Sequence, residues 1–167
     1  MAFTALETSP RAPLPGASLG VAMWRFAANA FRLRGRASRG EYWWWMLVNV
    51  AVLATSQIMV PAAVGGAPPQ PTLFLGPFGS SLFADLELMS WHSADSPGSP
   101  LGAFSLLVAD LWLLLTLIPG LTVAVRRLHD SNLTGWWALL AFFPPGQLVL
   151  LLIALRRPRL EGARFDA

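Results

Sequence analysis

Two long runs almost free of charge constrain this chain more than anything else in it. From Tyr42 to Val64, "YWWWMLVNVAVLATSQIMVPAAV" carries no charge over 23 residues. At about 1.5 Å of rise per residue such a run reaches roughly 34 Å as a helix, enough to cross a hydrocarbon core of about 30 Å. From Leu101 to Val125, 25 residues hold one charge, Asp110, with a Pro119-Gly120 pair near the far end that predicts a bend. Both runs read as transmembrane helices. Across the whole chain 54% of residues are apolar and 13% charged, which excludes an ordinary soluble domain.

A third apolar run, residues 136 to 155, is cut at its middle by Pro144, Pro145 and Gly146. It reads either as a kinked third span or as a re-entrant hairpin. Three spans are the favoured reading, so the expected fold class is an all-α integral membrane protein, a small bundle of three transmembrane helices with the third broken at Pro144-Pro145-Gly146. Residues 1 to 22 lack the basic start and apolar core of a signal peptide and read as a disordered tail; residues 23 to 155 form the membrane domain, and 156 to 167 a basic tail. The interval from 65 to 100 reads as an external loop, with a surface-hugging segment at "PTLFLGPFGSSLFADLELMSW".

Charge placement orients the spans. All twelve basic residues are arginine, and none lies between residues 40 and 125, whereas Asp85, Glu87 and Asp95 fall in the loop. Positive residues stay on the cytoplasmic side, which places the N-terminus and residues 126 to 135 inside. Arg156, Arg157, Arg159 and Arg164 then conflict with a third full span, because that span would carry them outside. A hairpin would return them, and it needs protein cover for its turn.

The segments able to carry chemistry lie at the inner ends of the spans. Ser38 and Glu41 have the spacing of a capping box at the start of the first span. Tyr42, Trp43, Trp44, Trp136 and Trp137 read as interfacial anchors. In "RRLHDSNLTGWW", residues 126 to 137, a continuing helix puts Arg126 and Asp130 four apart on one face with Arg127 beside them, so the acid is expected to hold an arginine. Asn132, Thr134 and Gly135 end the helix. His129 beside Asp130 invites a metal or acid-base reading. Adjacent helical side chains diverge, however, and His92, the only other histidine, falls on the opposite side. Neither a catalytic residue, a metal site nor a cofactor is assigned. Without cysteine, no disulfide or thiolate site can form.

"FRLRGRASRGEYWWWMLVNV" and "IPGLTVAVRRLHDSNLTGWWALL" resemble the two signature blocks of the domain of unknown function 805 family, the YhaH-like bacterial inner-membrane proteins. The resemblance falls on Gly35, Arg36, Arg39, Glu41, Tyr42 and Trp43, then on Arg126, Arg127, Leu128, His129, Asp130, Gly135, Trp136 and Trp137. It implies a bacterial plasma-membrane location and no activity. The C-terminal "EGARFDA" keeps an echo of the family's closing motif in Arg164 and Phe165.

Three functions stand beside one another at this point. A non-enzymatic membrane component would grip anionic lipid headgroups or a protein partner with Arg36, Arg39, Arg126 and Arg127, oriented by Glu41 and Asp130 beside His129. A homo-oligomeric transporter or channel subunit would use Asp110, for which Asn49 and Gln57 are the expected partners, together with the proline breaks. An enzyme would use His129 and Asp130. No feature suggests nucleic acid as a partner.

Overall fold

The computed structural model describes residues 12–64, 99–142 and 144–166. The external loop and its expected surface segment, and the first part of the N-terminal tail, lie outside these. Everything described is helical or irregular. Helix α1, Leu19–Ala28, packs against α2, which runs over Arg39–Ala63. Helix α3 spans Pro100–Asp130, a 3-10 helix covers Gly135–Phe142, α4 covers Pro144–Leu155, and a last 3-10 helix covers Leu160–Phe165.

Local chemistry sets most of these boundaries. Ser38 caps α2: its hydroxyl accepts from Glu41 N at 3.2 Å, while the Glu41 carboxylate accepts from Ser38 N at 2.7 Å. Near its far end α2 widens into a π-helical stretch, Thr55–Met59, just before Pro61. That wider register relieves the clash between a proline ring and the carbonyl four residues back. At the start of α3, Ser99 caps the Gly102 N–H and Pro100 occupies a first-turn position where no donor is needed. The helix continues through Pro119 and ends at Asn132, whose φ of 61° is left-handed. There Leu133 N bonds Leu128 O and Asn132 N bonds His129 O, so the last carbonyls are satisfied before the chain turns.

Helices α2 and α3 are long and apolar enough to cross a membrane. The face of α3 turned inward is built from Gly102, Ser105, Ala109, Leu113, Thr116 and Gly120, a line of mostly small residues that admits a neighbour closely. Trp45 fills the junction, stacked on Phe26 at 3.9 Å and lying 6.0 Å from Trp112. Asn49, fully buried, accepts from Trp112 Nε1 at 2.8 Å.

The expected third helix is not one rod. The 3-10 helix and α4 have matched lengths, roughly 16 and 18 Å, and pack on each other. Both of their outer ends meet the same end of α3. Gly135 lies against Val125 and His129, while Ala154 and Arg156 meet Arg127. Prolines 144 and 145 cannot continue the preceding helix and start a new one, so the run folds back where one helix was expected to go on. Two tails are also corrected. Helix α1 begins inside the stretch expected to be disordered up to residue 22, and Leu14 N bonds the Glu41 carboxylate. Residues 160 to 165 form a docked helix, with Arg159 N bonded to Asp130 O at 2.9 Å.

Gly146 sits where this fold-back is tight: a Cβ there would clash with the Leu140 carbonyl oxygen, a contact only a backbone shift relieves. Gly146→Ala should therefore lower thermal stability in detergent, whereas Gly20→Ala, which faces open space inside α1, should gain up to about 1 kcal/mol.

Candidate functional site

The start of α2 and the end of α3 are joined by a buried polar clasp. Arg127, 1% exposed, is its centre. Its guanidinium pairs with Asp130 one turn on, donates from Nε to the Ala154 carbonyl at 3.0 Å, and donates from a terminal nitrogen to the Arg156 carbonyl. A planar fork serves all three acceptors at once, which an ammonium could not do with the same geometry. The two carbonyls belong to the end of α4 and the residue just beyond it, where peptide oxygens lack helical partners and favour a cation.

Arg126, equally buried, donates to the Arg36 carbonyl at 2.9 Å, and its own carbonyl accepts from Ala37 N at 3.1 Å. Asp130 therefore holds an arginine, as expected, and of the two candidates the partner is Arg127. Residues three and four apart both share a helix face. The carbonyls of Ala154 and Arg156, supplied from elsewhere in the chain, favour the former.

Around this centre the other signature residues close the clasp. Gly35 adopts φ 94°, a left-handed value that suits glycine. Its N–H donates to Phe165 O at 2.7 Å, and its carbonyl accepts from His129 Nδ1 at 3.1 Å. The His129 ring lies flat on Phe165 at 4.1 Å. Arg36 pairs with Asp166 through two bonds of 2.9 and 3.1 Å from Nε. Glu41, inside its capping box, also pairs with the buried Arg25. Gly162 packs so closely that a Cβ would clash with the His129 carbonyl oxygen.

Histidine 129 is thus enclosed by Gly35, Gly135 and Phe165, and it works as a packing and hydrogen-bonding group. Of the anchors, Tyr42 is buried, Trp43 and Trp44 are half-buried, and Trp136 and Trp137 are exposed. Trp44 Nε1 holds the Ala17 carbonyl at 3.0 Å. Arg39 is exposed, as are Arg32, Arg34, Arg156, Arg157, Arg159 and Arg164, all near the clasp in the chain. Sequence reasoning missed Arg25 and Asp166 as partners; the only signal of the C-terminal contribution was the Arg164-Phe165 echo.

Asp110 is not brought to Asn49 or Gln57. Asn49 is taken by Trp112, and Asp110 lies exposed on the outside of α3. At that depth a carboxylate costs about 2.5–3.5 kcal/mol on insertion scales.

Removing one member of a buried ion pair strands the other charge, a loss of about 3–5 kcal/mol. Arg127→Gln should therefore abolish or severely lower the cooperative thermal transition in detergent. Arg127→Lys should also lose stability, because its ammonium cannot fork to Asp130, Ala154 and Arg156 together. Arg39→Gln, at an exposed site, should stay within about 0.5 kcal/mol of the parent.

The family model for proteins of unknown function designated DUF805 matches residues 30–167. Inner membrane protein YhaI of Escherichia coli K12 is 34% identical over 124 residues, covering 74% of this chain and 73% of its own. Inner membrane protein YhaH of the same organism is 28% identical over 116 residues, covering 70% of this chain and 68% of its own. No solved structure matches. With both signature blocks folded into one clasp and matched by that family model, the chain belongs to the DUF805 family of inner-membrane proteins.

Proposed function

We propose that this protein is a non-enzymatic component of the inner membrane whose arginine-rich end lies at the cytoplasmic surface and holds anionic lipid headgroups. The observation that carries this reading is the division of labour among the arginines. Arg25, Arg36, Arg126 and Arg127 are turned inward and committed to Glu41, Asp166, Asp130 and backbone carbonyls. Arg32, Arg34, Arg39, Arg156, Arg157, Arg159 and Arg164 remain exposed beside Phe31, Leu33, Trp136 and Leu160, which are also exposed. Guanidinium groups fork to phosphate while neighbouring apolar side chains enter the headgroup boundary.

In this reading the donors to phosphate are the exposed arginines, and Arg126 and Arg127 build the platform beneath them. The fold-back of residues 135 to 155 is a re-entrant hairpin covered by α3, so the C-terminal arginines return to the cytoplasmic side. That return resolves the charge conflict a third full span would create.

Each arginine near an anionic surface contributes about 1 kcal/mol. Replacing Arg156, Arg157 and Arg159 together by Gln should therefore weaken retention of phosphatidylglycerol by the purified protein by up to about a hundredfold at low salt, with less effect at high salt. Thermal stability should be nearly unchanged. Wild-type lipid retention in the triple variant would overturn the proposal.

A further inference from the structure

Helix α3 has a second ordered face beside the one it buries. Ala103, Leu107, Asp110, Leu114, Leu117 and Leu121 follow one another at alternating spacings of four and three residues. This is the 3.5-residue repeat of a coiled-coil seam. The seam is largely open: Leu107 is 62% and Leu114 63% exposed, and Ala103 and Asp110 are exposed with them.

The leucines alone would need no partner, because lipid tails are as apolar as they are. Asp110 does need one. It lies ten residues, roughly 15 Å, from the start of α3 at Pro100 and makes no hydrogen bond or ion pair with any described residue. No arginine or lysine lies between residues 40 and 125, and His92, the one histidine in that stretch, precedes α3 in the chain, so the seam of a second copy offers Asp110 no cation. A second copy with the same orientation brings to that depth one matching polar group, its own Asp110.

We propose that α3 pairs in parallel with α3 of a second copy along the seam from Ala103 to Leu121, with the two Asp110 carboxyl groups protonated and hydrogen-bonded to each other. Two protonated carboxyl groups bring no charge into the apolar surroundings, and each can donate to and accept from the other. A single polar position within an apolar seam also fixes the register of the pair. Ala103, small, lets the two backbones approach at the outer end. This inference needs only that α3 spans the membrane, and it is independent of what the arginines bind.

The chain contains no cysteine, so single introduced thiols report contacts without background. In native membranes, Leu107→Cys and Leu114→Cys should form oxidative dimers, whereas Leu47→Cys on α2 and Leu152→Cys on α4, at residues 56% and 65% exposed, should not. Adding Asp110→Ala should cut the dimer yield by about fivefold, and Asp110→Asn, whose amide can pair with itself, should retain it. Membrane insertion and thermal stability of each variant confirm that the helix is in place. Equal cross-linking at Leu47 and Leu152, no dimer at Leu107 and Leu114, or a yield unaffected by Asp110→Ala would each overturn the proposal.

Discussion

The architecture depends on one buried guanidinium. A charge taken out of water must find an opposite charge and acceptors for its remaining donors, or the group costs more than the fold can supply. Arg127 meets that demand with Asp130 on its own helix and with the carbonyls of Ala154 and Arg156. The last two are peptide oxygens at the end of α4, which need donors of their own. One side chain therefore answers two deficits, and in doing so it fixes where α4 must finish.

The path of the C-terminal third follows from that point. With Gly135 already against Val125, and with Ala154 held at Arg127, the run between them starts and ends beside the same stretch of α3. It can only go out and come back. The chain leaving α4 then lies next to Asp130 and Gly35, where Arg159, Phe165 and Asp166 find their partners. Each of these contacts is modest alone. Together they bury the inward-facing charges and leave the remaining arginines on the outside, which is the arrangement an anionic surface can use.

Much of this was legible from local pattern. The two long apolar runs pointed to α2 and α3 because backbone polar groups in lipid must be satisfied within a helix. Ser38 with Glu41 announced a capping box, and Asn132 the end of α3, because those side chains and that backbone freedom act within a few residues. What escaped depended on distant partners. Apolar length cannot say whether residues 136 to 155 cross or return, although the stranded arginines after them registered the conflict. Likewise, spacing alone permits Asp130 to meet either Arg126 or Arg127, and acceptors from α4 and the residue after it make the choice. Asp110 was expected to meet Asn49 or Gln57, but the small-residue face of α3 lies about 100° away around the helix, which leaves the carboxyl on the seam.

If the Arg127 clasp draws the last apolar run back to where it began, the chain's two ends must lie on one side of the membrane. Paired cytoplasm-active and periplasm-active reporters fused in turn to the N-terminus and after Ala167, with a control fusion in the interval between α2 and α3, test it most directly. Both terminal fusions should be active in the cytoplasm and the control in the periplasm. Terminal fusions reporting opposite compartments would contradict it, since residues 135 to 155 would then cross the membrane and could not meet Arg127 at both ends.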